Sequence, residues 1–123
     1  MIFEAFDVVV VPFPFTDRAA SRRRPAVALS TASFGAEAGH SIFAMITTAR
    51  QSSWPLDVAI DDLAAAGLSV SCFVRMKLFT LDHRLIVQKR GRLRGDDAMR
   101  VGEAIRHLFW HDGGSGQLAE LTR

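Results

Sequence analysis

Four consecutive β-branched residues, Val8-Val9-Val10-Val11, followed by Pro12 and Pro14, constrain this chain more than anything else in it. Such a run would crowd a helix and sits easily in a pleated sheet, so it predicts a buried strand over Asp7–Pro12. Neither proline can donate to a ladder, so regular pairing fades there and hands over to the polar loop from Phe15 to Arg23. A second apolar run, Arg24-Pro25-Ala26-Val27-Ala28-Leu29-Ser30, predicts a second strand that begins with a cation at its mouth.

The rest of the chain reads as further strands and one long helix. Thr31 to His40 is rich in Ser, Gly and Ala and predicts a long loop. Ser41 to Thr48 predicts a third strand ending in two threonines, at the same kind of mouth position as Arg24. Leu56–Ile60 reads as a half-exposed strand. Asp61 to Gly67 reads as one or two helical turns with an Asp cap and a Gly stop. Leu68 to Leu81 alternates as one long strand, Asp82-His83-Arg84 turns, and Leu85 to Leu93 predicts a last strand with a bulge at Gly91. Ala98, Val101, Gly102, Ile105, Leu108 and Phe109 then recur at helical spacing, predicting an amphipathic helix with Asp96 as N-cap and Gly113 as stop. The fold class is therefore mainly β: a small SH3-like antiparallel barrel with a C-terminal amphipathic helix. At 123 residues it makes one domain over 1–112, with 113–123 a flexible tail.

Composition excludes several classes of function. A hydrophobic fraction of 49% rules out a disordered chain. The single Cys72 has no intrachain partner and no Cys/His set around it, which argues against zinc and fits a reducing cytoplasm. The apolar run Val8 to Phe15 is far shorter than the roughly 20 residues that span a bilayer, so membrane insertion is not expected. Cations are grouped at Arg22-Arg23-Arg24, at Arg75 and Lys77, and from Lys89 to Arg94. Such groups neutralise phosphates on a polyanion, or simply form a solvated basic face.

No glycine-rich phosphate loop and no nucleophile elbow occurs, and the four histidines lack metal-ligand spacing. His107 and His111, four residues apart near a helix end, either chelate a metal or serve as dipole partners there, the second being the commoner reading, and His40 and His83 read as surface loop residues. What remains is Arg24 with a strand-end hydroxyl, Thr47 or Thr48. A guanidinium is a planar, permanently charged fork that suits a phosphoryl group gaining charge in a transition state. Equally, Arg24 could only cover a strand end, and the threonines could be ordinary strand residues. Trp54 either stacks on a base or packs beside Pro55.

Val10-Val11-Pro12-Phe13-Pro14-Phe15-Thr16-Asp17, Arg24 to Ser30, Ile46-Thr47-Thr48, and Lys77 to Asp82 with Gly91-Arg92-Leu93 resemble, in order and spacing, the MazF/PemK family of toxins from bacterial type II toxin–antitoxin systems. The resemblance implies an SH3-like barrel, a homodimer in the cytoplasm, and a sequence-specific endoribonuclease (mRNA interferase) that cuts single-stranded RNA without metal or other cofactor. It also implies inhibition by a cognate antitoxin protein. By the same resemblance the essential arginine falls on Arg24 and the strand-end hydroxyl on Thr47, with Thr48 taking that place if the register slips by one. The implied reaction is attack of the ribose 2′-hydroxyl on the adjacent phosphorus, giving a 2′,3′-cyclic phosphate. Arg22, Arg23, Lys77 and the segment Thr16-Asp17-Arg18 would hold backbone phosphates, and Trp54 would contact RNA.

The chain departs from the family pattern in three places. Phe6 stands where members usually carry Gly before the first strand's Asp, so that turn must be made differently. Ala19 and Ala20 stand where a first-loop acid or base is common, and Met76 where an acidic residue often precedes Lys77. A CcdB-like toxin that binds DNA gyrase, or a degenerate module that binds RNA or antitoxin without cutting, are the competing readings.

Overall fold

The computed structural model describes residues 2–12, 22–48 and 53–110. Six strands form one antiparallel sheet in the order β4-β5-β3-β2-β1-β6, and a C-terminal helix packs on it, a curled half-barrel. The strands are β1 (Asp7–Pro12), β2 (Arg23–Ala28), β3 (His40–Thr48), β4 (Val58–Ala59), β5 (Cys72–Asp82) and β6 (Gln88–Arg92). The helices are α1 (Ala32–Ala38), α2 (Leu63–Ala66) and α3 (Gly95–Phe109).

The valine run is buried because both faces of the sheet are covered, the arrangement in which a strand reads as continuously apolar. Val8 points with Val27, Ala44, Ile46 and Val74 into the core under Val101 and Ala104 of α3. Val9 and Val11 point the other way, with Ala26, Ala28, Phe43 and Phe3. Fully burying a valine contributes about 1.5–3 kcal/mol, so α3 is held chiefly by this apolar seam. Asp97 adds a polar tie: it is 3% exposed and accepts the amides of Asp61 and Asp62 at 3.0 and 2.9 Å, joining α3 to the entry of α2.

Several sequence expectations need correction. Thr31–His40 is not a loop: the Thr31 hydroxyl accepts from the Phe34 amide at 3.2 Å, and α1 runs from there to a Gly39 stop. The long strand begins at Cys72 rather than Leu68, because Gly67 turns out of α2 with φ 72 and the chain needs four more residues to reach the sheet. Asp96 does not cap α3. Arg94 holds that position, and Asp96 lies in the first turn, where its charge complements the helix dipole. Phe6 does not avoid the glycine turn but makes it, at φ 76, donating its amide to Ala28 and accepting from the Leu93 amide. Gly113, His111 and the 113–123 tail lie outside the described residues.

The turn at Phe6 delivers Asp7, whose side chain is fully buried. Its carboxylate accepts from the Glu4 amide at 2.8 Å and from Arg92 Nη1 at 3.0 Å, and it lies 3.3 Å from Lys89 Nζ. Two cations of the basic last strand are thus committed to a buried carboxylate, which is the condition for burying one.

Candidate functional site

The β2–β3 register decides which threonine shares a face with Arg24. Ala26 pairs with Met45, Val27 with Ala44 and Ala28 with Phe43. Pro25 has no amide to continue that ladder. Followed two residues further along both strands, the same register sets Arg24 level with Thr47 on one face of the sheet. Thr48 points the other way, opposite the buried Cys72. Thr47 is 7% exposed, and Arg24, opposite Val11 of β1, buries its Nε.

Strand alternation puts a second guanidinium on this face, and a bulge in β5 sets its place along the strand. The β3–β5 pairing passes from Ala44↔Leu78 directly to Met45↔Arg75, so Met76 and Lys77 are extra residues on β5. Bulges re-aim side chains and increase local twist. Arg75 thereby stands beside Met45, diagonal to Thr47, whose own partner is Phe73. The second cation of the site therefore comes from the same strand as Lys77.

Asp57 fixes that cation. Arg75 Nε donates to Oδ1 at 3.1 Å and Nη2 to Oδ2 at 2.9 Å, a two-pronged pair whose side chains are 10% and 12% exposed. Hydrogen bonding to Asp57 raises the Arg75 pKa, against the opposing pull of burial. The same carboxylate accepts the Trp54 amide at 3.1 Å, and the Asp57 amide donates back to the Trp54 carbonyl. That turn carries the exposed indole to 5.6 Å from the Arg75 guanidinium and 5.8 Å from Lys77 Nζ. Both distances are in cation–π range, and the arrangement is a flat aromatic surface flanked by positive charge.

The sequence-predicted residues divide accordingly. Arg24 and Thr47 share a face, with Arg75 beside them, and Trp54 and Lys77 gather around Arg75. Arg22 and Arg23 are exposed, and Arg23 lies on the opposite face from Arg24. Thr16, Asp17 and Arg18 lie outside the described residues. Met76 is buried in the core beneath α3.

His83 is not the surface loop residue its position suggests but is half-buried: its Nε2 lies 2.7 Å from the fully buried Ser41 Oγ, and Phe3 packs edge-on against its ring. It therefore serves the second apolar cluster. Among the described residues no group of three or more His, Cys, Asp or Glu converges as a metal would require, and no helix is long and apolar enough to cross a membrane. The missed pair Arg75–Asp57 left one sequence signal, an acid shortly after a loop tryptophan.

Two comparisons with known proteins bear on the family and the fold. A family model described as PemK-like, MazF-like toxin of type II toxin-antitoxin system matches residues 4–109. Among solved structures, the chain is similar to MazE-MazF (Form-III) from Deinococcus radiodurans, with 21% identity over 89% of this chain and 97% of that one and a TM-score of 0.71. It is also similar to the Mycobacterium tuberculosis toxin MazF-mt6, with 19% identity, 84% and 95% coverage and a TM-score of 0.67. A third is an endoribonuclease in complex with its cognate antitoxin from Mycobacterial species, with 12% identity, 85% and 89% coverage and a TM-score of 0.63. At these identities the structural likeness establishes the fold. No curated protein sequence matches the chain.

Proposed function

The chain belongs to the PemK-like, MazF-like toxins of type II toxin–antitoxin systems, and from that premise we propose that it is a metal-independent endoribonuclease cutting single-stranded RNA. The observation that carries this reading is the shared face of Arg24 and Thr47, with Arg75 on the neighbouring strand. In the proposed reaction the ribose 2′-hydroxyl attacks the adjacent phosphorus, the bond to the 5′-oxygen breaks, and the products carry a 2′,3′-cyclic phosphate and a 5′-hydroxyl.

The nucleophile belongs to the substrate, so the protein's task is alignment and charge stabilisation. Arg24 takes the non-bridging oxygens as negative charge accumulates on them. Thr47 donates to, or orients, the scissile group. Arg75, held rigid by Asp57, adds a second positive charge that needs no reorganisation during the reaction. Trp54 offers its face to a base beside the cut, the usual way single-stranded RNA is gripped. Lys77, Arg22 and Arg23 hold backbone phosphates.

The expected partner is a cognate antitoxin covering the Arg24 mouth. A cytoplasmic homodimer, in which two such sheets face each other, would lengthen the groove available to RNA.

The test is incubation of the purified protein with a long single-stranded RNA in EDTA. The expected result is cleavage to cyclic-phosphate ends, lost by about 10³-fold or more in Arg24→Ala, the scale of removing one charge-stabilising donor. Full activity in an Arg24→Ala variant that unfolds at the parent's midpoint would falsify the assignment. Intact RNA retained by the parent protein would instead identify a binding module.

A further inference from the structure

On the other side of the sheet from Thr47, beneath the mouth of β2, lies a cleft of about 360 Å³. Arg23, Arg90, Gln88 and Ser69 supply polar lining, Arg24 stands at the edge toward Thr47, and Val70 and Val87 stand on its walls. We infer that this cleft is a second nucleotide subsite, which takes a nucleotide flanking the scissile phosphate of single-stranded RNA. The inference rests on the ribonuclease reading above and extends it to Arg90, Val70 and Val87, which that reading does not use.

Three observations carry it. The first is charge. The described residues lining the cleft include no carboxylate; Arg23 and Arg90 are its cations, and Arg24 stands at the edge shared with the Thr47 face. Successive strand residues point to opposite faces. Arg24 therefore faces Thr47 while Arg23, its neighbour, faces the cleft, and a phosphodiester chain passing over the end of β2 meets one guanidinium on each side.

The second is that the cleft is built. The β1–β6 pairing jumps from Val8↔Gly91 to Val9↔Lys89, so Arg90 is a bulged residue, and its Nη1 reaches the Gly67 carbonyl at 3.4 Å. Its walls are held by two close backbone approaches. A Cβ at Gly91 would stand 2.3 Å from the Ala65 carbonyl oxygen, and one at Gly67 would stand 2.4 Å from the Arg90 carbonyl oxygen. Only glycine allows α2 and β6 to close so tightly, so the cleft is present before any ligand arrives.

The third is its mixed lining. Val70 is 54% exposed and Val87 39%, apolar surface placed beside arginines rather than within the core. A phosphate on Arg23 or Arg90 with a base laid against the valines fits that combination, and the volume falls in the range of small-ligand sites.

The experiment measures cleavage of a defined single-stranded transcript in EDTA between about 50 and 200 mM salt. Arg90→Ala should raise KM about tenfold and flatten the slope of log kcat/KM against log salt by about one, as loss of one phosphate contact does. Val70→Asp, a change at an exposed position, should raise KM through repulsion of the same phosphates. Arg106→Ala, on the exposed face of α3, is the control with parent behaviour. Parent KM and parent salt slope in both cleft variants would overturn the subsite.

A parent protein that cuts no RNA would overturn the nuclease reading alone. The cleft is then judged by photocrosslinking to 4-thiouridine-substituted RNA. Crosslinks to residues 67–70 or 87–90 support it, and their absence overturns it.

Discussion

Arg75 and Asp57, eighteen positions apart in sequence, meet in a two-pronged ion pair with hydrogen bonds of 3.1 and 2.9 Å, almost closed to solvent, on the face that carries Arg24 and Thr47. Removing one partner of such a pair strands the other charge in a poorly hydrated place. Asp57→Asn should therefore destabilise the fold by about 3 kcal/mol, read from urea denaturation. The double variant Asp57→Leu with Arg75→Met should recover most of that loss while remaining poor at RNA cleavage. A single-variant loss below about 0.5 kcal/mol would show that the pair behaves as a surface contact.

Thr47 and Thr48 are neighbours with opposite orientations, which makes them a controlled comparison. Thr47→Val removes a hydroxyl on the Arg24 face and should lower RNA cleavage about 10²-fold at unchanged stability, whereas Thr48→Val should stay within about threefold of the parent. Equal losses in the two variants, measured as kcat/KM, would remove the basis for choosing Thr47.

Phe6 holds φ 76, a conformation that costs an ordinary L-residue roughly 1–2 kcal/mol. Its ring packs against the main core, so replacing it loses burial in any case. The informative contrast is between two truncations. Phe6→Gly should be more stable than Phe6→Ala by about 1 kcal/mol, the reverse of the order within regular helix or strand. Thermal or chemical denaturation that ranks Ala at or above Gly would show that this turn relaxes in the variants.

Asp82 is held well below the usual carboxylate range by side-chain hydrogen bonds from Arg84, helped by the Arg84 amide. A depressed folded pKa means that the stabilisation is present above the unfolded value of about 3.9 and is lost as pH falls through the folded value. Asp82→Asn should accordingly be less stable than the parent at pH 7, and the two unfolding curves should converge in acid. A gap that persists undiminished to about pH 2 would assign the loss to the cap that Asp82 provides for the turn His83–Leu85, not to its charge.

The elements of this fold were largely written in local chemistry. Four valines in a row made β1. Asp62 and Gly67 bracketed α2 as caps do, and the spacing from Ala98 to Phe109 laid out α3. Even α1, which the Ser/Gly/Ala composition disguised as a loop, had its signals in place, with Thr31 before it and Gly39 after. Local propensity reaches only a few residues along the chain, and caps, turns and periodicity are facts at that range.

The candidate site is of another kind. Arg24 could be singled out from its place at a strand mouth, but whether Thr47 or Thr48 faces it depends on a register that a one-residue slip would invert. Arg75 stands beside Met45 and diagonal to Thr47, rather than directly opposite it, only because of a two-residue bulge, and its rigidity comes from Asp57 across the loop that presents Trp54. Arg23 is turned toward the cleft, and away from Thr47, by strand alternation. Pairing between distant segments is settled by burying both sheet faces at once, so which charges became neighbours was decided by tertiary packing.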